Sequence, residues 1–171
     1  MRTSCPPLRT LLSGAVACLS LAALVGAAHA QALPGGAQLG MSVQQLRDSV
    51  PALERVPRPV RMAGGLVGSW RASSVQVAGV TLAPTYFFAE GELRRIEYVA
   101  DAAGVPDAYA SLLAWGRSLW GAELASQGSE GAYATWTSGT TQAYLQQAGG
   151  TQRPQLRLVV KLLTTRDASE L

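Results

Sequence analysis

The residues of this chain best suited to chemistry are few, and most lie where a mature exported protein would not keep them. Both cysteines, Cys5 and Cys18, and the single histidine, His29, fall within the first 30 residues. That stretch has the parts of a secretory signal: Arg2 and Arg9 as a positive head, an apolar run from Leu11 to Val25, and Ala28-His29-Ala30 as a small-residue cleavage site. Cleavage between Ala30 and Gln31 removes all three reactive side chains, and with them Ser-His-Asp and Cys-His catalysis and any zinc site built on nitrogen or sulfur. Carboxylates and one lysine remain. Glu90 and Glu92 flank Gly91, and Glu97 and Asp101 lie downstream. A hydrolase working by paired carboxylates needs two such groups across a cleft with their pKa values pushed apart, whereas acids at a turn normally solvate it. Lys161 has no S-x-x-K motif for a serine–lysine dyad, and the chain contains neither a D-x-D-x-D-G calcium loop nor a glycine-rich phosphate cradle. The sequence therefore assigns no catalytic residue, no metal ligand and no cofactor.

Aromatic side chains are the stronger functional lead. Four tryptophans and five tyrosines accompany only two phenylalanines, and Tyr and Trp are enriched at protein interfaces because they join a large contact area to a polar atom. Most of these rings are expected to complete the core. Tyr133 and Tyr144, placed opposite each other on neighbouring strands and away from the Trp136 face, are the expected exposed pair. Arg47, Arg55, Arg58 and Arg61 line the region after the first helix, and Arg58 and Arg61 join the two tyrosines as candidate partner-binding residues. A nucleic-acid partner is not expected. Of 14 basic residues two belong to the leader, so 12 face 11 acids in the mature chain, a net charge near +1, and they are scattered rather than striped.

These side chains need elements to hold them. Removal of 30 residues leaves 141, enough for one domain with a sizeable core, which without cysteines must hold by packing alone. The expected organisation is a signal peptide over 1–30, a disordered glycine-rich lead over 31–39, one domain over 40–165 and a tail over 166–171. Ser42 and Gln45 form a capping box, with Met41 and Leu46 in staple positions, so a short helix starts there and stops at Pro51. Val56 to Arg61, broken by Pro57 and Pro59, is expected to be an extended, solvated connector. Leu66–Val77, Val80–Ala89 and Leu93–Ala100 read as strands, the last two joined by the tight turn Glu90-Gly91. Strict pairing about that turn sets Phe88 opposite Leu93 but sends Ile96 to the wrong face, which predicts a bulge. A second, amphipathic helix is expected from about Pro106 to Trp120. Strands follow over Ala132–Thr137, Thr140–Gln146 and Gln155–Leu163. The fold class this implies is α+β, an antiparallel sheet with two helices packed on one face, in which a helix-plus-strands order occurs in residues 40–100 and again in 106–163.

Gly40-Met41-Ser42-x-x-Gln45-Leu46, followed by Tyr86-x-Phe88 and Leu93-x-x-Ile96, resembles the small bacterial envelope domains of the BamE (SmpA/OmlA) type and the related fold of β-lactamase inhibitory protein. The resemblance covers about 60 residues as pattern and carries over no functional residue, since no motif lines up beyond the helix start. It implies an envelope location and a role in assembly or inhibition. BamE proteins carry a lipidated cysteine near the mature N-terminus, the place Cys18 would take if the chain were an outer-membrane lipoprotein; contact with a membrane is expected only in that case. The expectation is thus a periplasmic, non-catalytic domain that binds another envelope protein through its sheet or hairpin tips. The alternative is a small-ligand binder with an aromatic-lined groove between sheet and helix, and a carboxylate-based hydrolase comes third.

Overall fold

A computed structural model of the chain describes residues 33–101, 107–128, 131–148 and 155–163. The leader with Cys18, Ala30 and Gln31, the second helix's Pro106 and the tail at 166–171 lie outside the described residues.

The first helix, α1 (Val43–Ser49), starts where its capping box requires: the Ser42 amide donates to Gln45 Oε1 at 2.8 Å, and the Gln45 amide donates to Ser42 Oγ at 3.3 Å. It is docked by the residues before it. The Gly40 amide donates to the Leu93 carbonyl and the Leu93 amide to the Met41 carbonyl, both at 2.8 Å. Strands β1 (Glu54–Arg61), β2 (Val67–Arg71), β3 (Val75–Val77), β4 (Val80–Ala89) and β5 (Glu92–Asp101) follow, then helix α2 (Ala108–Trp120) and strands β6 (Leu124–Gly128), β7 (Gly131–Ser138), β8 (Thr141–Ala148) and β9 (Gln155–Leu162). All pair antiparallel in the order β1-β2-β4-β5-β9-β8-β7-β6, with β3 beside β4. The last strands of the two halves of the chain, β5 and β9, thus meet in the middle of the sheet.

The expected α+β class, with two helices packed on one face as equal partners of the sheet, is overturned. Of the described residues 55% are strand and 17% helix, in nine strands and two helices, so this is a mostly antiparallel β structure. Two segments shift the balance. The proline-containing stretch read as a solvated connector is edge strand β1. It pairs with β2 at Glu54, Arg55, Val60 and Arg61, and the register slips between Arg55 and Val60. Pro57 and Pro59 fall in that slip on an edge strand, where a missing amide costs no ladder bond. The other segment is β6, whose Leu-Ala-Ser-Gln-Gly carries no strand signal and is held by β7 alone. The single strand expected over Leu66–Val77 is likewise two, β2 and β3.

One face of the sheet carries the core. The bulge predicted after the Glu90-Gly91 turn lies between Phe87 and Phe88: Phe88 pairs with Leu93, but Phe87 pairs with Arg95, so Arg94 is the extra residue. Leu93, Ile96 and Tyr98 thereby share one face with Tyr86, Leu145, Leu158, Val160 and Trp136, all buried. Leu46 of α1 and Leu112 of α2 join them. So do Leu33 at 5% and Ala37 at 0% exposure; this part of the lead, expected to be disordered, is tied down by Tyr98 Oη, which donates to the Pro34 carbonyl at 3.0 Å. The α2 interface is tight. A Cβ on Gly116 would come within 2.6 Å of the Trp136 ring, so only glycine admits the indole there, and Trp136 Nε1 donates to the Gly121 carbonyl just past the helix at 3.1 Å. No described helix is long and apolar enough to cross a membrane.

Candidate functional site

The face opposite the core is a second surface, and the pairing registers fix its layout. Side chains alternate along each strand, so the residues interleaved with the core positions form three rows across the sheet. Phe87, Arg95, Lys161, Gln142 and Thr137 make one row; Thr85, Glu97, Val159, Tyr144 and Thr135 the next; Ala83, Val99, Arg157, Gln146 and Tyr133 the third. The buried residues of both helices belong to the core side, and among the described residues no helix lies over these rows.

At the centre of this face Arg95 and Glu97 are nearly buried, with side chains 10% and 9% exposed. A buried charge needs partners, and here they interlock. Arg95 Nη2 donates to Glu97 Oε2 at 2.9 Å and to Tyr144 Oη at 3.0 Å. Arg157 Nε reaches the other carboxylate oxygen, Oε1, at 2.9 Å. The Arg95 guanidinium also stands over the rings of Phe87, at 5.6 Å, and Tyr144, at 5.8 Å, an arrangement favoured by the negative faces of the rings. Phe87 in turn lies across Gly68, where a Cβ would come within 2.6 Å of the ring. Flat side chains thus bury the pair without any element crossing above it. Arg95 Nε is buried and has no hydrogen-bond acceptor among the described residues.

Tyr133 and Tyr144 share this face, on the side away from Trp136. They are not directly opposite each other: Tyr133 pairs with Gln146 and Tyr144 with Thr135, so the rings meet on the diagonal, 6.1 Å apart and inclined by 32°. Tyr133 is exposed, and Tyr144 is half-buried through its bond to Arg95. Arg58 and Arg61 are not brought to them. Both are exposed on β1, at the opposite end of the strand order from β7 and β8, and Arg58 lies in the slipped stretch. The four candidate partner-binding residues therefore form two separate surfaces. Of the other arginines, Arg47 and Arg55 converge on the Trp70 ring, at 4.7 and 5.9 Å from its centroid.

The carboxylates are engaged by arginines. Arg94 Nη2 meets Glu92 at 3.0 Å and Glu90 at 3.6 Å, while Glu97 holds Arg95 and Arg157. The described residues hold no cluster of three or more His, Cys, Asp or Glu side chains that could bind a metal. Two concave regions border the sheet. A cleft of about 570 Å³ lies between Ala63, Gly64 and Leu66 of the β1–β2 connection, Ala89 and Glu90 of the hairpin, and Arg94, Arg95 and Lys161 to Leu163. A shallower one of about 300 Å³ lies beside α2, with Trp115 as its single aromatic lining residue. Trp136 packs on Gly116 where α2 meets the sheet.

Residue types alone did not reveal the Arg95–Glu97–Arg157–Tyr144 network, because charges at alternate strand positions normally mark a wet face. The signal available was the pairing of Phe87 with Arg95, which follows once the bulge is placed. Scans against family models, curated proteins and solved structures find no match to the chain.

Proposed function

We propose that this is a non-catalytic protein-binding domain of the bacterial cell envelope, and that its binding surface is the face of the sheet opposite α1 and α2, around Tyr133 and Tyr144. The envelope location rests on the export leader and its Ala30-Gln31 junction. The observation that carries the binding surface is the tyrosine pair itself: an exposed ring packed at a tilt beside a second ring that a buried Arg95–Glu97 network holds in place. Interfaces are anchored by aromatic and arginine side chains already fixed before binding, because less rotamer freedom is lost on association. A partner offering an apolar or aromatic knob flanked by carboxylates matches this face, on which Arg95, Arg157 and Lys161 outnumber Glu97. Arg58 and Arg61 belong to an edge strand whose prolines discourage further strand pairing, and they are not part of the surface.

Site-specific photo-cross-linking in the native host tests the reading. A cross-linker in place of Tyr133 is expected to give a discrete adduct with one envelope protein, and one in place of Arg58 is not. Adducts from the Arg58 position alone would move the interface to the edge strand. Absence of any protein adduct from either position overturns the reading.

A further inference from the structure

Beside the tyrosine face, the cleft at the hairpin end of the sheet carries a charge arrangement that is incomplete as it stands. Arg95 and Lys161 are direct cross-strand partners on β5 and β9 and point to the same side. Like charges placed opposite each other in a sheet repel. Glu97 offsets Arg95, which leaves the charge of Lys161 to be met. Glu97, the nearest acid to Arg95, has both oxygens occupied by Arg95 and Arg157. Glu90 lines the cleft but is paired with Arg94, as is Glu92. Lys161 forms no ion pair among the described residues, and the Arg95 Nε–H is buried without an acceptor, a state that costs the full desolvation of the donor. Around the two cations the walls are aliphatic: Ala63, Leu66, Ala89, Leu162 and Leu163. The volume, about 570 Å³, falls within the range of small-molecule sites.

From this we infer that the cleft binds an amphiphilic organic anion, a monocarboxylate whose head lies between Lys161 Nζ and the Arg95 guanidinium and whose apolar tail rests on Leu66, Leu162 and Leu163. The head supplies a counter-charge to Lys161 beside the Arg95–Glu97 pair, and charge-assisted hydrogen bonds to a carboxylate are among the stronger ones available. The tail removes the aliphatic wall from water. This site borders the Tyr133–Tyr144 surface and shares Arg95 and Lys161 with that face, but it uses neither tyrosine. Its failure leaves the partner reading intact, and a lost cross-link at Tyr133 leaves this one intact.

Titration calorimetry of the purified protein with octanoate, octanol and acetate tests the inference. Octanoate is expected to bind, and both octanol, which lacks the charge, and acetate, which lacks the tail, to bind at least about tenfold more weakly. Lys161→Gln is expected to weaken octanoate binding about tenfold, and Leu163→Glu, which sets a like charge on the wall, to weaken it as well. Thermal unfolding of each ligand-free variant, matched to the parent protein, shows that a loss is not misfolding; a variant that fails this match is replaced by Lys161→Met. Binding of octanol or acetate as tight as that of octanoate, no binding of octanoate, or octanoate binding unchanged by loss of the Lys161 charge each overturns the inference.

Discussion

The two faces of this sheet are made from alternating residues of the same strands, yet they stabilise their buried groups by opposite means. On the covered face, Tyr86, Ile96, Val160 and Trp136 are buried with α1, α2 and the lead segment packed above them. On the open face Arg95, Glu97, Phe87 and Val159 are nearly as inaccessible, with no helix above them among the described residues. There the concealment comes from within the layer: Phe87 lies over Gly68, Tyr144 bonds to Arg95, and Arg157 reaches across to Glu97. The lesson is that burial in a sheet does not require a second layer. Long flat side chains cover the charge pair, and of its buried polar atoms Arg95 Nε alone has no hydrogen-bond partner among the described residues.

If covering elements stabilise one face and lateral contacts the other, truncation should cost unequal amounts. Trp136→Ala removes an indole that packs on Gly116 and on Trp120, at 5.5 Å between ring centroids, and also loses the bond to the Gly121 carbonyl. It is expected to cost about 3–5 kcal/mol, read as a fall in the urea midpoint at unchanged slope. Tyr133→Ala, whose ring is 38% exposed, is expected to stay within about 0.5 kcal/mol while losing affinity for the partner that the cross-link identifies. Equal losses in the two variants would remove the distinction between the faces.

How far the faces were legible in the sequence follows the same division. Local rules were reliable: the Ser42–Gln45 box, the Glu90-Gly91 turn with φ of 54° and 81°, and the bulge demanded by Leu93 and Ile96 all depend on neighbours in the chain. Non-local decisions were not legible. Proline at positions 57 and 59 disfavours a strand interior, and only the slip against β2, a feature of the partner strand, makes room for both. Strand β6 exists because β7 presents an edge to it. Leu33 and Ala37 sit among glycines and a proline that read as a loose lead, and a tyrosine more than 60 residues away fixes them. Tyr133 and Tyr144 were legible as outward-facing because alternation settles that. Arg95 and Glu97 were not legible as buried, since their cover comes from strands β4, β8 and β9.

A smaller contrast lies inside the covered face. Tyr86 and Tyr98 are both fully buried, but Tyr98 Oη has the Pro34 carbonyl as acceptor whereas Tyr86 Oη has no partner among the described residues. Tyr98→Phe is therefore expected to lose about 1 kcal/mol, and Tyr86→Phe to be neutral or stabilising, because it removes a buried hydroxyl that bonds to nothing. Burial pushes the Tyr86 phenol up to about 12 and raises that of Tyr98, further raised by Tyr86 beside it. Both rings favour the neutral form when folded, so their contribution is whole below the ordinary value of 10.0 and is lost as pH rises from there, for Tyr86 toward about 12. Phenolate absorbance should show these two tyrosines ionising only as the protein unfolds. Their ionisation alongside the exposed Tyr133 in the native state would contradict a closed core.

The mildest test compares two glutamates gripped by arginine, one on each side of the sheet. Glu97 on the open face is shared by Arg95 and Arg157. Glu123, just past α2, is held by Arg117 alone, in a two-point contact whose Nε–Oε2 distance is 2.7 Å. The Arg117 hydrogen bonds and a backbone amide hold the Glu123 carboxyl down at about 2, against an ordinary 4.5. A lowered folded-state pKa means that the folded form binds its proton less readily than the unfolded form. The contribution is therefore complete above about 4.5 and disappears as pH falls toward 2. Glu123→Gln should flatten the decline of the melting temperature in that window by lowering the neutral-pH value, and only slightly, because the Arg117 side chain is 55% exposed and its pairing is screened by water. Added salt should produce the same flattening in the parent protein. If salt instead weakens the contribution of Glu97 more than that of Glu123, then water reaches the open-face network freely, and lateral packing does not shield it.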